Sequence, residues 1–132
     1  MKQNFIVEKR KIIVKVEIEG LKGLSGTFDF VLDTGATITV IDRNVIKALG
    51  FNLSQTKQVK LATIGNTIYS NILDIPRFSL FGKEEKNFEV NVIDLPTQIG
   101  LFADGLIGFD FLSNFSKINI DFISLIIEVE EI

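Results

Sequence analysis

Hydrophobic and polar residues alternate along most of this chain, and that period of two restricts its fold more than any other feature. Val14, Val16 and Ile18 fall on one side of a strand, with Lys15, Glu17 and Glu19 on the other. The stretch from Gly20 to Gly26 turns the chain, and Phe28, Phe30 and Leu32 form the next apolar face. Val59, Leu61 and Thr63 lead into Ile64-Gly65-Asn66-Thr67, and Ile68, Ser70 and Ile72 lead out. This predicts a hairpin whose tip uses the tolerance of Gly65 and Asn66 for positive φ. A second hairpin runs from Phe78 and Leu80 through a turn around Gly82-Lys83-Glu84-Glu85 to Phe88, Val90 and Val92. Ile118 to Val129 alternates again and folds back near Phe122 to Ser124. Pro76 and Pro96, the only prolines, are expected where strands stop.

Two short segments break the alternation. Asp42 is placed to cap a helix with apolar positions Val45, Ile46 and Leu49, stopped by Gly50. Asp110 is placed to cap a turn or two of helix over Phe111 to Phe115. The expected architecture is all-β and mainly antiparallel, one domain over residues 1–132 with two short helices.

Composition removes whole classes of chemistry. The 132 residues include no Cys and no His, so thiolate zinc sites, cysteine nucleophiles and every His-assisted triad are excluded. Any catalysis has to use carboxylates, hydroxyls, amines or backbone groups, with neither metal nor cofactor expected. A net charge of −3, from 14 Lys+Arg against 17 Asp+Glu, speaks against a nucleic-acid surface. No apolar run approaches the ~20 residues of a membrane span. The first ten residues meet charge before any hydrophobic region develops, unlike a secretory signal. A cytoplasmic setting is the expectation, and the missing Cys is compatible with it.

One segment carries candidate chemistry. Phe28 to Leu32 is an apolar strand that ends abruptly in Asp33-Thr34-Gly35-Ala36. An Asp at the end of a buried strand is costly unless its surroundings are arranged for it, although the tripeptide alone is also what a strand-ending turn would use. About seventy residues later comes Ala103-Asp104-Gly105-Leu106-Ile107-Gly108-Phe109-Asp110-Phe111-Leu112, two aliphatic residues and a Gly before a short helix. With the hairpin between them, these segments resemble the retropepsin-like aspartic proteases, the family of the retroviral proteases and their cellular and bacterial relatives. The resemblance covers Thr27 to the C-terminus and is nearer to the cellular and bacterial single-domain members. The position that follows Ala36 is Thr37 where viral enzymes carry an Asp, and Phe109 stands where they carry an Arg.

The resemblance implies a β-barrel acid-protease fold with Asp33 as the catalytic residue. Thr34, Gly35 and Ala36 would support the catalytic loop, and Leu106, Ile107 and Gly108 would pack beneath it. Ile64, Gly65 and Asn66 would form the tip of a flap over an extended peptide or protein substrate. Such an enzyme needs two carboxylates a water's width apart, and this chain holds one Asp-Thr-Gly. The second Asp33 must then come from another copy across a twofold axis, making a homodimer a chemical requirement. Lys11 to Ile18 and Ile118 to Val129 are candidate interface strands. The competing reading is a catalytically silent dimer of the same fold that binds peptides or acts as a scaffold.

Overall fold

The alternating segments become strands in a computed structural model, which describes residues 1–63, 66–95 and 103–132. In chain order they are β1 (Lys2–Asn4), β2 (Ile6–Glu8), β3 (Lys11–Glu19), β4 (Ser25–Leu32), β5 (Val40–Asp42), β6 (Lys57–Thr63), β7 (Asn66–Leu80), β8 (Lys83–Ile93), β9 (Gly105–Ile107), β10 (Phe115–Asp121) and β11 (Ile126–Glu131). Helix α1 (Arg43–Ala48) follows β5, and α2 (Phe109–Leu112) follows β9. The fold is all-β and antiparallel-rich with two short helices. No helix among the described residues is long and apolar enough to cross a membrane.

Eight strands form one sheet in the order β2-β3-β4-β9-β5-β8-β7-β6, and a further pairing of β3 with β7 closes it on itself. The closed ring is β3-β4-β9-β5-β8-β7, with β2 and β6 as extensions. Closure removes sheet edges and gives every strand of the ring an inside. Val14, Val16 and Ile18 face that inside and are buried, while Lys15 and Glu17 are exposed. A separate three-stranded sheet, β1-β11-β10, packs Ile127 and Val129 into the same core.

Aromatic rings fill the centre. Phe78 meets Phe30 edge to face at 5.7 Å between centroids, and Phe111 at 5.3 Å. Phe111 also meets Phe88 and Phe115. Such offset contacts add to the gain from burying the rings. Because Phe111 belongs to α2, the cluster pins that helix to the barrel.

Several expectations need correction. Pro76 does not end a strand but lies inside β7, which runs unbroken through both hairpins. It is tolerated because the ladder omits its pairing: Ile75 pairs with Phe88 and Arg77 with Lys86, and the intervening Asn87 has a positive φ. The second hairpin turns at Phe81-Gly82, with Leu80 paired to Lys83. Both turn residues have positive φ, as a tight two-residue hairpin requires. Lys83 to Glu85 belong to β8. Asp110 does not cap α2: the N-cap is Gly108, without a side-chain bond, and Asp110 lies in the first turn. β3 offers no free edge for pairing with a second copy, being bonded to β2, β4 and β7, with Gln3 Nε2 donating to Lys15 O in the remaining gap. β11 is likewise interior, between β1 and β10, whereas β10, which holds Ile118 to Asp121, is an edge strand of that sheet. The expected α1 is present: Asp42 accepts the Asn44 N–H, and Gly50 beyond the helix has a φ of +89°. Pro96 and the hairpin tip residues Ile64 and Gly65 lie outside the described residues; Asn66 pairs with Thr63 at the start of β7.

β9 positions everything that follows. It lies between β4, to which it is parallel with Leu32 opposite Ile107, and β5, to which it is antiparallel with Val40 opposite Leu106. There is no space for a side chain at Gly105, where a Cβ would collide with the Phe30 ring and sit 2.6 Å from Val40 O. Gly105→Ala should therefore cost about 1–3 kcal/mol from overpacking. Urea unfolding followed by circular dichroism should show a lower midpoint with an unchanged slope.

Candidate active site

β4 ends at Leu32 and delivers Asp33 to the barrel rim. The Asp33 N–H donates to Ile107 O at 3.1 Å, tying the loop to β9. The Gly35 N–H donates to Asp33 Oδ1 at 3.0 Å, and the Ala36 N–H donates to Asp33 O at 3.2 Å, closing a turn. Gly35 has no positive φ, and a Cβ there would make only an ordinary 3.4 Å contact with Asp33 Oδ1. What the glycine leaves open is the outer approach to the carboxylate. Thr34 is exposed, and among the described residues its hydroxyl has no hydrogen-bond partner.

The far side of the loop is fastened to α2. Phe109 N–H donates to Ala36 O at 2.8 Å and Asp110 N–H to Thr37 O at 3.2 Å. Thr39 is fully buried; its hydroxyl donates to Asp110 Oδ1 at 2.7 Å and accepts the Gly108 N–H at 3.1 Å, while its own N–H donates to Asp110 Oδ2 at 3.0 Å. Asp110 Oδ1 also accepts the Phe111 N–H at 2.9 Å. A charged acceptor with three donors in a half-buried place is strongly held. Gly108 has no room for a side chain, since a Cβ would collide with the Ile38 carbonyl and lie 2.9 Å from Ile38 N.

A cavity of about 370 Å³ opens beside Asp33, walled by Lys11, Val31, Leu32 and Leu106. Among the described residues Asp33 is the only carboxylate on those walls. The β6–β7 hairpin lies close by: Leu61 and Ile68 pack with Val40, Ile93 and Leu95, in the cluster that also takes in Ile38 and Leu106. Cavities of about 380 and 500 Å³ elsewhere are bordered by Glu17, Thr27, Ser79 and Glu84. Arg77 there is shared between Glu19 at 3.5 Å and Glu84 at 3.8 Å, so its charge is already answered. Among the described residues no cluster of acidic side chains suits a metal ion.

Over residues 14–111 the sequence matches the family model described as aspartyl protease. The chain belongs to the aspartyl protease family. Among solved structures, the crystal structure of a retropepsin-like aspartic protease from Rickettsia conorii superimposes with a TM-score of 0.66 at 21% identity. The alignment covers 98% of this chain and 90% of that one, so the two share the retropepsin-like fold. A search of curated proteins by sequence finds no relative.

Within this aspartyl protease fold the residues singled out in the sequence converge in part. Asp33, Thr34, Gly35 and Ala36 form the loop, and Leu106, Ile107 and Gly108 lie against it. Of the expected flap tip, only Asn66 falls in the described residues. Two participants were missed. Thr39 is the lone hydroxyl in the run Ile38-Thr39-Val40-Ile41, a signal that an apolar strand had been interrupted for a purpose. Lys11, at the start of an apolar strand, gave no local signal, since only tertiary pairing brings it to Asp33.

A second carboxylate near the loop has a structural part. Asp104 Oδ2 accepts the Asp29 N–H at 2.9 Å, and the Asp104 N–H donates to Asp29 O at 2.8 Å. Burial raises the Asp104 carboxyl above its ordinary value of 3.8, and the charges of Asp29 and Asp42 push the same way; the Asp29 N–H and Lys15 oppose them.

Two outcomes are expected. Thr39→Val keeps the shape but strips Asp110 and the Gly108 N–H of a partner, so stability should fall by about 1–3 kcal/mol in urea titration. Asp104→Asn keeps an acceptor for Asp29 without the charge. Protonated Asp104 favours the folded state below pH 3.8, and that advantage is lost as pH rises through its raised folded value. The stability of Asp104→Asn relative to the parent should therefore rise with pH across that window and then level off, as measured by unfolding at a series of pH values.

Proposed function

We propose that the chain is one protomer of a homodimeric aspartic endopeptidase. The observation that carries this reading is Asp33 itself, seated by the Gly35 amide on the wall of an open cavity in an aspartyl protease family member with one Asp-Thr-Gly. The other carboxylates near the loop are engaged: Asp104 with Asp29, and Asp110 with Thr39 and Phe111. The missing partner on this reading is Asp33 of a second copy. The exposed Thr34 hydroxyl, without a hydrogen-bond partner among the described residues, would meet its symmetry mate there and lock the two loops.

Two carboxylates at that separation cannot both ionise easily, so they hold one proton between them. A water lies between the pair. The ionised carboxylate takes a proton from the water as its oxygen attacks the peptide carbonyl carbon, while the protonated carboxylate gives its proton to the carbonyl oxygen. The tetrahedral diol then collapses: a proton passes to the amide nitrogen, the C–N bond breaks, and an acid and an amine leave. The dyad ends with one proton, as it began. No covalent intermediate forms, so a chain lacking His and Cys is equipped for every step. The β6–β7 hairpin would close over an extended peptide, excluding water and offering backbone hydrogen bonds.

The test combines solution mass with a single substitution. The parent protein should sediment as a dimer and cleave peptides, with specific activity falling on dilution as the dimer dissociates. Asp33→Asn should remain dimeric yet lose at least about a thousandfold in kcat/KM, the scale on which loss of an essential catalytic group is felt. Equal cleavage by Asp33→Asn, or full activity in a monomer, would sink the reading. A dimer that binds peptides without cleaving them would establish the silent module instead.

A further inference from the structure

Lys9, Arg10 and Lys11 are oddly placed cations. Glu8 pairs with Lys11, so β2 and β3 are joined by the two-residue turn Lys9-Arg10. Both turn residues have positive φ, 48° and 64°. Asn-Gly and similar pairs make such a turn with little strain, whereas side chains of this size are strained there. Lys9 and Arg10 are exposed and Lys11 is half-buried. Among the described residues none of the three forms an ion pair, not even with Glu8, the register partner of Lys11. Further along the same strand the pattern differs, for Lys15 is paired with Asp29.

The register explains where this charge is directed. Ile13 lies opposite Val31, the last pair of the β3–β4 ladder, and the same register continued by two residues would bring Lys11 level with Asp33. Lys11 and Asp33 line one cavity of about 370 Å³, whose other walls are the aliphatic Val31, Leu32 and Leu106. An apolar pocket with an unanswered ammonium suits a side chain with a short aliphatic stem and a terminal anion. Asp33 would repel such a group, and among the described residues Lys11 is the only opposing charge on the walls.

We propose that this cavity is a subsite for an acidic residue of the bound peptide, glutamate by its reach, and that Lys11 is the residue that selects it. Lys9 and Arg10 supply a positive field at the mouth, which speeds capture of acidic segments more than it strengthens their final contacts. The inference rests on the endopeptidase reading for its catalytic consequence, but binding tests it independently.

The experiment uses one set of extended peptides, with Glu, Gln or Lys at each of three positions on either side of the cleaved bond. At one position Glu should raise kcat/KM over Gln by about tenfold, the scale of one charge-assisted hydrogen bond, and added salt should shrink the ratio. Lys11→Met, which keeps the stem, should abolish the preference, and Lys11→Glu should turn it towards Lys. Lys9→Asn with Arg10→Gly should stabilise the turn and flatten the salt dependence while leaving the preferred position unchanged. The same peptides labelled for fluorescence anisotropy on Asp33→Asn should bind with Glu preferred over Gln at the same position and without turnover, by at least as large a ratio because the repelling charge is gone. If no Glu peptide binds Asp33→Asn more tightly than its Gln twin, the subsite proposal is wrong whether or not the parent cleaves. A preference that survives in Lys11→Met also overturns it. So does a Lys11→Glu protein whose peptide ratio is unchanged but whose sedimentation shifts, since the cations would then face a second copy.

Discussion

The site depends on one tight passage, the threading of β9 between β4 and β5. Hydrogen bonds to strands running in opposite senses on its two sides leave β9 no freedom to shift, and Gly105 and Gly108 let its neighbours approach where a Cβ would collide with them. From that position Ile107 O receives the Asp33 N–H, and Leu106 forms a wall beside the carboxylate. A reactive loop carried by strand ends is held more closely than one carried by long loops, because its supports are already fixed by the ladder.

A second fastening is polar. Thr39 donates two hydrogen bonds to Asp110 and accepts the Gly108 N–H, so the segment after Asp33 is clamped to α2, and α2 is anchored in the aromatic core by Phe111. A change in the packing of Phe78 would thus be felt at Ala36, through Phe111 and the Phe109 N–H. Burying this network is acceptable because its members are satisfied; a half-satisfied version would cost more than an apolar one. On the proposed reading this rigidity has a purpose, since a shared proton demands that two carboxylates meet at a narrowly set separation.

Charge is organised locally, against the sign of the whole. The chain is net negative, yet three cations without an ion pair among the described residues gather at the β2–β3 turn near Asp33, whereas Lys15 and Arg77 elsewhere are answered by neighbours. The Lys9-Arg10 turn that carries two of these cations holds both of its long side chains at positive φ.

Period-two alternation was enough to show an all-β chain, and the Asp33-Thr34-Gly35-Ala36 and Leu106-Ile107-Gly108 segments with the hairpin between them carried the resemblance to the retropepsin-like family, because these are local patterns. Helix α1 was legible for the same reason, with cap, apolar face and stop adjacent in the chain. The identity of the Phe81-Gly82 turn was not, because glycine alone marked the spot and the register of β7 against β8 decided it. Pro76 misled because its tolerance depends on a missing rung opposite Asn87, a property of two strands together. The clamp of Thr39 on Asp110 and the meeting of Lys11 with Asp33 join residues 71 and 22 positions apart. No local spacing rule encodes such contacts: the first needs β9 and α2 set beside β5, and the second needs the β3–β4 register carried to the strand ends.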